Sequence, residues 1–534
     1  MSGSPEPERG SSSPPDEPDE HAADVRALTP LGRLRGFLGE PPSYWLTRFV
    51  LLRLLGFVYL FAFLSLANQI VPLVGHEGLL PIQPALERFG SPWLGFWRYP
   101  SVFWLGAGDD ALQALSWVGV GLSLVVLAGY ANALILGCLW FLYFSFLPVG
   151  QDWLSYGWDM QLCETGFLAM FLVPLLDGRP FPRRPPPRLV ILLVCWLVLR
   201  IMLGAGLIKW RNDPCWRDLS CLYTHFETQP LPNPLSRAVH FLPHGALAFG
   251  VVVNHVSELI APLFVFGPRR FRHMAGLVMV GFQLTLIATG NLSMLNWLTL
   301  VAIVACFDDQ FLGRVVPRWL RARAEAARAA ARPSTGQTWS AAALFGLYLV
   351  LSVPAVFNLF SPHQKMNYAF NRLYLASAYG AFGSMYEERL EIVFEGTLDE
   401  SDPPGGEAAW REYAFPCKPG DPMRRPCVAA PYQYRLDWQM WFAAPSNVRR
   451  YPWAAHLAWK LLHNHPAALR LLDGNPFPDR PPRRVRALLY RYQFADPDDP
   501  SGAWWKRELV ATWLHPVAAD DPGLIEFLQA NGWL

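Results

Sequence analysis

Between residues 46 and 360 the chain carries apolar runs of 16 to 23 residues. A helix needs roughly 20 such residues to cross the hydrocarbon of a bilayer, and a soluble core has no use for so many in succession. Composition agrees, because only 16% of the 534 residues are charged, against about 25% in ordinary soluble domains. The runs predict helices at about 46–68, 112–129, 131–148, 160–176, 189–210, 247–266, 273–289, 291–306 and 339–358. The expected fold is therefore a membrane all-α bundle of about nine transmembrane helices over 41–360. The tight hairpins 112–148 and 273–306 also admit buried or re-entrant segments.

Arginines orient these spans, because basic loops stay cytoplasmic. With the N-terminus inside, the segments 26–35, 179–188, 269–272 and 314–332 hold sixteen arginines on one side. The other side holds five: Arg88, Arg98, Arg211, Arg217 and Arg237. An odd number of spans then places 361–534 outside. Residues 1–40 are rich in Ser, Pro, Glu and Asp, which predicts a disordered cytoplasmic tail. No cleavable signal peptide is expected at the start; the first apolar run, from Leu46, suits an uncleaved anchor.

Cysteines agree with this arrangement. Cys138, Cys163, Cys195 and Cys306 lie in apolar helices and are expected to be inert. Cys215 with Cys221, and Cys417 with Cys427, form two close pairs on the side assigned as external, where disulfides persist. Zinc is the weaker reading, since neither CxxC spacing nor a His pair accompanies them, and no metal is expected.

Residues 361–534 change character, with Pro-rich turns, charges and tryptophans, and predict a soluble α+β domain. The alternation over Tyr432–Met440 predicts a half-buried strand. Glu391–Thr397 and Val485–Phe494 are further strand candidates, and Pro452–Leu472 reads as a helix ending near Gly474.

Ionisable groups within hydrocarbon are costly and mark functional candidates. Arg48, Arg53 and Lys209 lie near helix ends, where they can extend to the interface. Glu164, Arg200, His255 and Glu258 lie deeper and form the candidate intramembrane polar site. Arg200 and Glu258 are expected to pair, which lowers the cost of each charge. Arg200 and Lys209 are nine residues apart, about 180° around a helix, so they belong to different sites.

A net charge of +2 gives no reason to expect nucleic acid as a partner. No P-loop, hydrolase elbow, HExxH or dinucleotide fingerprint occurs in a usable context, so no enzyme reaction is indicated and no cofactor is expected. A transporter ranks low because the hydropathy pattern shows no internal repeat. The sequon at Asn291 lies at a membrane turn, too close to the bilayer to favour glycosylation.

Several longer motifs remain: Cys215-Trp-Arg-Asp-Leu-Ser-Cys221, His225-Phe-Glu-Thr-Gln-Pro-Leu-Pro-Asn-Pro234, Asn291-Leu-Ser-Met-Leu-Asn-Trp297, Tyr379-Gly-Ala-Phe-Gly383, Cys417-Lys-Pro-Gly-Asp-Pro422, Tyr434-Arg-Leu-Asp-Trp438 and Asn475-Pro-Phe477. Together they resemble the lipase maturation factor family, over about Tyr44 to Trp533. The resemblance implies a multipass protein of the endoplasmic reticulum membrane, with its C-terminal domain luminal. It implies partners among secreted client proteins, lipases such as lipoprotein lipase, besides the surrounding membrane lipid. The chain ends Asn531-Gly-Trp-Leu534 without a retention tetrapeptide, and a bacterial source would move the expected location to the inner membrane. The alternative reading is an intramembrane enzyme for a lipid-like or quinone-like substrate, because the bundle is distantly similar to vitamin K-dependent carboxylases. That likeness is a fold-level analogy.

Overall fold

The computed structural model describes residues 42–87, 90–400 and 408–534. The expected tail over 1–40, with Arg26, Arg33 and Arg35, lies outside the described residues, as does Arg88. Ser43–Leu534 packs as one compact unit.

The principal helices are α1 (Trp45–Val74), α2 (Asp109–Ala128), α3 (Ala133–Val149), α4 (Gly157–Met170), α5 (Arg188–Asn212), α6 (His244–His255), α7 (Arg269–Thr289), α8 (Leu295–Ile303) and α9 (Thr335–Leu351). Helix α6 continues through a widened π turn, Val256–Ile260, and a 3-10 turn, Ala261–Phe264. Among the described residues, five helices are long and apolar enough to cross a membrane: α1, α2, α5, α6 as far as Phe264, and α7. The number rises to seven if each of two bent pairs counts as one span. These are Leu295–Cys306 with Asp309–Val315, bent by 119°, and α9 with Val353–Phe360, bent by 41°. Length and composition therefore give fewer spans than the expected nine. Helix α3 has 17 residues and α4 only 14, and 14 residues extend about 21 Å against a core of about 30 Å.

The described basic segments, 179–188, 269–272 and 314–332, gather at one end of the bundle. There the Thr47 hydroxyl donates to the Phe307 carbonyl at 2.7 Å, and Arg332 N–H donates to the Arg183 carbonyl at 2.8 Å. Arg269 pairs with Asp308 at 2.7 Å. Arg48 does not extend to the interface as expected. It is 1% exposed and donates to the carbonyls of Leu172, Pro182 and Arg184, because the loop after α4 folds over it. Arg53 likewise donates to the Gly129 carbonyl at 3.0 Å.

The chain after α9 is clasped to the opposite end. The Ser65 hydroxyl and Gln69 amide of α1 donate to the Gln433 carbonyl at 2.9 and 2.7 Å. Arg389 donates to the carbonyls of Glu227 and Pro230, both at 2.9 Å. Asn291, read above only as a sequon, is 1% exposed. Its amide donates to the Cys427 carbonyl at 3.0 Å, and its carbonyl accepts from Ala429 N–H at 2.8 Å. It is a clamp between the α7–α8 turn and the C-terminal region.

That region contains an antiparallel sheet of β1 (Arg389–Thr397), β2 (Arg411–Glu412), β3 (Arg484–Phe494) and β4 (Trp505–Ala518), in the order β2-β1-β3-β4. Strands β1 and β3 fall where the sequence places them. Strand β4 has no clean alternation, because three register irregularities along β3 break the period of two. The strand expected over Tyr432–Met440 is instead the helix Arg435–Ala443. Its polar residues are buried too, so alternation does not report an outer face. Asp437 accepts from the N–H groups of Cys417 and Lys418 at 2.7 and 2.8 Å, and the Gln439 amide donates to the Asp152 carbonyl at 2.6 Å. The helix expected over Pro452–Leu472 is two pieces, Trp453–Leu462 and Pro466–Leu469. Asn464 turns at φ 46°, and Pro466 lacks the N–H that continuation needs.

Cys215 is joined to Cys221, and Cys417 to Cys427 across a sequence separation of 10. A loop of that size gives a disulfide worth about 2–3 kcal/mol in the chain-entropy account. Cys417→Ala is expected to accelerate proteolysis within 415–430 while the bundle stays inserted. Limited proteolysis of isolated membranes, with unreduced peptide mapping of the parent protein, checks this.

Candidate functional site

Helix α5 is apolar around most of its circumference and carries two buried charges, Arg200 and Lys209, on opposite sides. Each meets a carboxylate from a different neighbour. Arg200 is 1% exposed and forms a bidentate ion pair with Glu164 of α4. The Ser377 carbonyl accepts from Arg200 Nη1 at 2.7 Å, and the Tyr379 hydroxyl donates to Glu164 Oε2 at 2.7 Å. Gly204, one turn along, allows this approach: a Cβ there would lie 2.6 Å from the Tyr379 carbonyl oxygen. Irregular chain from the C-terminal region thus enters the bundle and completes the cluster. Such backbone is tolerated at depth only when it is packed in protein.

The second cluster lies about 13 Å further along α5, at 1.5 Å per residue. Lys209 Nζ donates to Glu258 Oε1 at 2.7 Å, to Glu258 Oε2 at 2.8 Å and to Asn254 Oδ1 at 2.8 Å. The Trp216 ring centroid is 4.9 Å from the same ammonium. Glu258 occupies the π turn, where Ala261 N–H bonds the Val256 carbonyl. Gly206 permits close contact here, since a Cβ would lie 3.0 Å from Glu258 Cβ.

The expected pairing of Arg200 with Glu258 is therefore incorrect. Helix periodicity correctly puts Arg200 and Lys209 on opposite faces, but α4 covers the first face and α6 the second. Lys209 does not extend to the interface either: it is 4% exposed and closed off by its three acceptors. His255 shares neither cluster's hydrogen bonds. Its Nε2 donates to the Trp216 carbonyl at 2.9 Å, beside the Cys215–Cys221 loop. Of the four candidates, the structure brings Glu164 to Arg200, sets Glu258 against Lys209, and holds His255 on the Trp216 carbonyl. Lys209, Asn254 and Tyr379 are the members sequence reasoning missed. The available signal was a carboxamide, Asn254, one turn before Glu258 in an apolar run.

The Lys209 cluster forms part of the wall of a cavity of about 440 Å³ among α5, α6, α7 and α8. Its other polar lining includes Gln161, His225, Gln283, Asn296 and Thr299. Asn296 Nδ2 donates to Gln283 Oε1 at 2.7 Å. Burial, helped by the Lys209 charge, pushes the His225 imidazole down to about 3, so it stays neutral near pH 7. Among the described residues its Nδ1 has no hydrogen-bond partner.

The elements together define a multi-helix membrane protein whose sheet-bearing C-terminal region is locked into one end of its bundle. The family model for the lipase maturation factor transmembrane domain matches residues 46–314, and that for the lipase maturation factor C-terminal domain matches 375–515. Lipase maturation factor 1 of Bos taurus is 43% identical over 532 residues, covering 94% of this chain and 95% of the relative. The Homo sapiens protein of that name is 42% identical, covering 93% of each chain. Lipase maturation factor 2 of Gallus gallus is 29% identical over 93% of this chain and 84% of its own. The chain belongs to the lipase maturation factor family. No solved structure matches it significantly.

Proposed function

We propose that this chain is a membrane-embedded maturation factor that brings secreted lipases to an active, assembled state, working from the endoplasmic reticulum membrane. The observation that carries this reading is 43% identity, over 94% of the chain, to a relative named lipase maturation factor 1. On this reading residues 41–360 are the bundle and 361–534 the luminal domain. The basic end is cytoplasmic and the sheet end luminal, in line with the preference of basic loops for the cytoplasm. Nine crossings suit this topology, with α3, α4 and both bent pairs counted. Supporting this count, Ala133 N–H bonds the Pro174 carbonyl near the basic end, while Gln151, just beyond α3, bonds the Leu80 carbonyl near the other.

Strand β4 is the surface best suited to a client. It is an edge strand of 14 residues, and Leu509 and Val510 are 57% and 45% exposed. An exposed edge offers unpaired backbone groups to an extended segment of a partner, with side-chain pockets adding selectivity. A photoreactive residue in place of Val510 is expected to crosslink a co-expressed, newly made lipase in native membranes. If lipase is recovered on residues of the basic end and never on β4, the proposed surface is wrong.

A further inference from the structure

The cavity beside Lys209 has no part in holding a client on β4, and its chemistry points elsewhere. We infer that it binds one uncharged acylglycerol taken from the bilayer, with the acyl chain against its apolar wall and the glycerol oxygens at the buried carboxamides.

Three observations carry this. The first is the mouth. Leu242, Ala246, Phe249 and Val253 on the α6 side, and Thr285 on α7, line the cavity yet are exposed at its rim. Phe249 is 67% exposed. Both helices qualify as membrane spans and are only 39% and 28% buried within the protein. An occupant therefore arrives from hydrocarbon rather than from water.

The second is charge. The ion pair in the wall is closed, with all three Lys209 donors and both Glu258 oxygens already engaged. Among the described lining residues a phosphate would meet no free cation, and a choline no free carboxylate. Breaking the pair to receive either would leave a buried charge unpaired, which is costly. A headgroup without charge keeps the pair intact.

The third is the set of neutral polar groups. Among the described residues Gln283 Nε2 donates only to the Met202 sulfur, at 3.5 Å, and Gln161 Nε2 to Thr299 Oγ1 at a long 3.4 Å. A thioether is a weak acceptor that an ester or hydroxyl oxygen displaces readily. His225, neutral and 5% exposed, adds a partnerless Nδ1. Buried polar groups with poor partners are the ones a ligand can satisfy. A volume of about 440 Å³ lies in the range of small-molecule sites, roughly 300–1,000 Å³. It suits one chain and a glycerol rather than a second helix.

The test uses the full chain in lipid nanodiscs. The probes are a monoacylglycerol and a phosphatidylcholine carrying the same diazirine acyl chain. Monoacylglycerol labelling is expected on peptides 242–253 and 282–296 at about tenfold above phosphatidylcholine, the gain two satisfied hydrogen bonds give. Unlabelled monoacylglycerol should compete and unlabelled phosphatidylcholine should not. Ala246→Trp, at the exposed rim, is expected to reduce labelling with unchanged melting temperature; Gln283→Leu, in the wall, is expected to reduce labelling and to lower the melting temperature, because Asn296 loses its acceptor. Equal labelling by the two probes, or label spread evenly over all helices, would mean ordinary surrounding lipid and would overturn the inference. Should a variant fail to fold, the competition on the parent protein decides alone. Lipase capture on β4 is unaffected by any of these outcomes, so the two readings fail separately.

Discussion

Glu164→Gln is expected to remove most of the folded protein from membranes, because it leaves Arg200 charged and buried. Breaking a buried pair from one side costs about 3–5 kcal/mol, which rivals a large share of a domain's stability of about 5–15 kcal/mol. Arg200 retains the Ser377 carbonyl as an acceptor, but a neutral carbonyl does not replace a bidentate carboxylate. Adding Arg200→Met removes the orphaned charge and is expected to restore much of the yield. Quantifying detergent-extracted, monodisperse protein for the two single variants and the double variant checks this. Tyr379→Phe, which deletes only one neutral donor to Glu164, should cost far less, about 1 kcal/mol.

The Lys209 pair should behave the same way, and independently. Glu258→Gln leaves the ammonium with Asn254 and the Trp216 face, and is expected to lower folded yield by a similar amount. Lys209→Met in the same chain should recover it. The informative combination crosses the clusters. Arg200→Met with Glu258→Gln should be additive, with no recovery, because sites more than about 10 Å apart with no shared partner add. Recovery in that crossed variant would mean that Arg200 and Glu258 do sense each other, and would contradict both hydrogen-bond sets.

The sequence made some of this legible and hid the rest for identifiable reasons. Apolar length locates α1, α5 and α7 well, since each run must satisfy its own backbone within hydrocarbon. It says less about α4, whose 14 residues include Asp159, Glu164 and Gln161, all buried among other helices. The 100° rotation per residue separates Arg200 from Lys209 correctly. It cannot say which neighbouring helix covers which face, and so Glu258 and Glu164 are equally eligible partners for Arg200 until the packing is known. Lys209 resembles an interfacial residue only while Cys215–Cys221 and its loop are imagined in water. In the structure Trp216 folds back over the ammonium and buries it. The alternation at Tyr432–Met440 misleads because it reads burial from polarity. Asp437 and Gln439 are buried with specific backbone partners, so both faces of that segment are interior. Asn291 matches a sequon by composition, yet its side chain is fully used in holding the C-terminal region to the bundle.

The central claim is that this chain matures lipases, and its most direct measurement is a rescue. Cells lacking their own lipase maturation factors would express secreted lipoprotein lipase with and without this chain, and lipase activity per mass secreted would be read in the medium. The expected result is a rise from background to an active, assembled lipase only when the chain is present. It should be lost again with Glu164→Gln and partly restored with the Glu164→Gln, Arg200→Met pair. Lipase that stays equally inactive while the chain is folded in the same membrane would contradict the account.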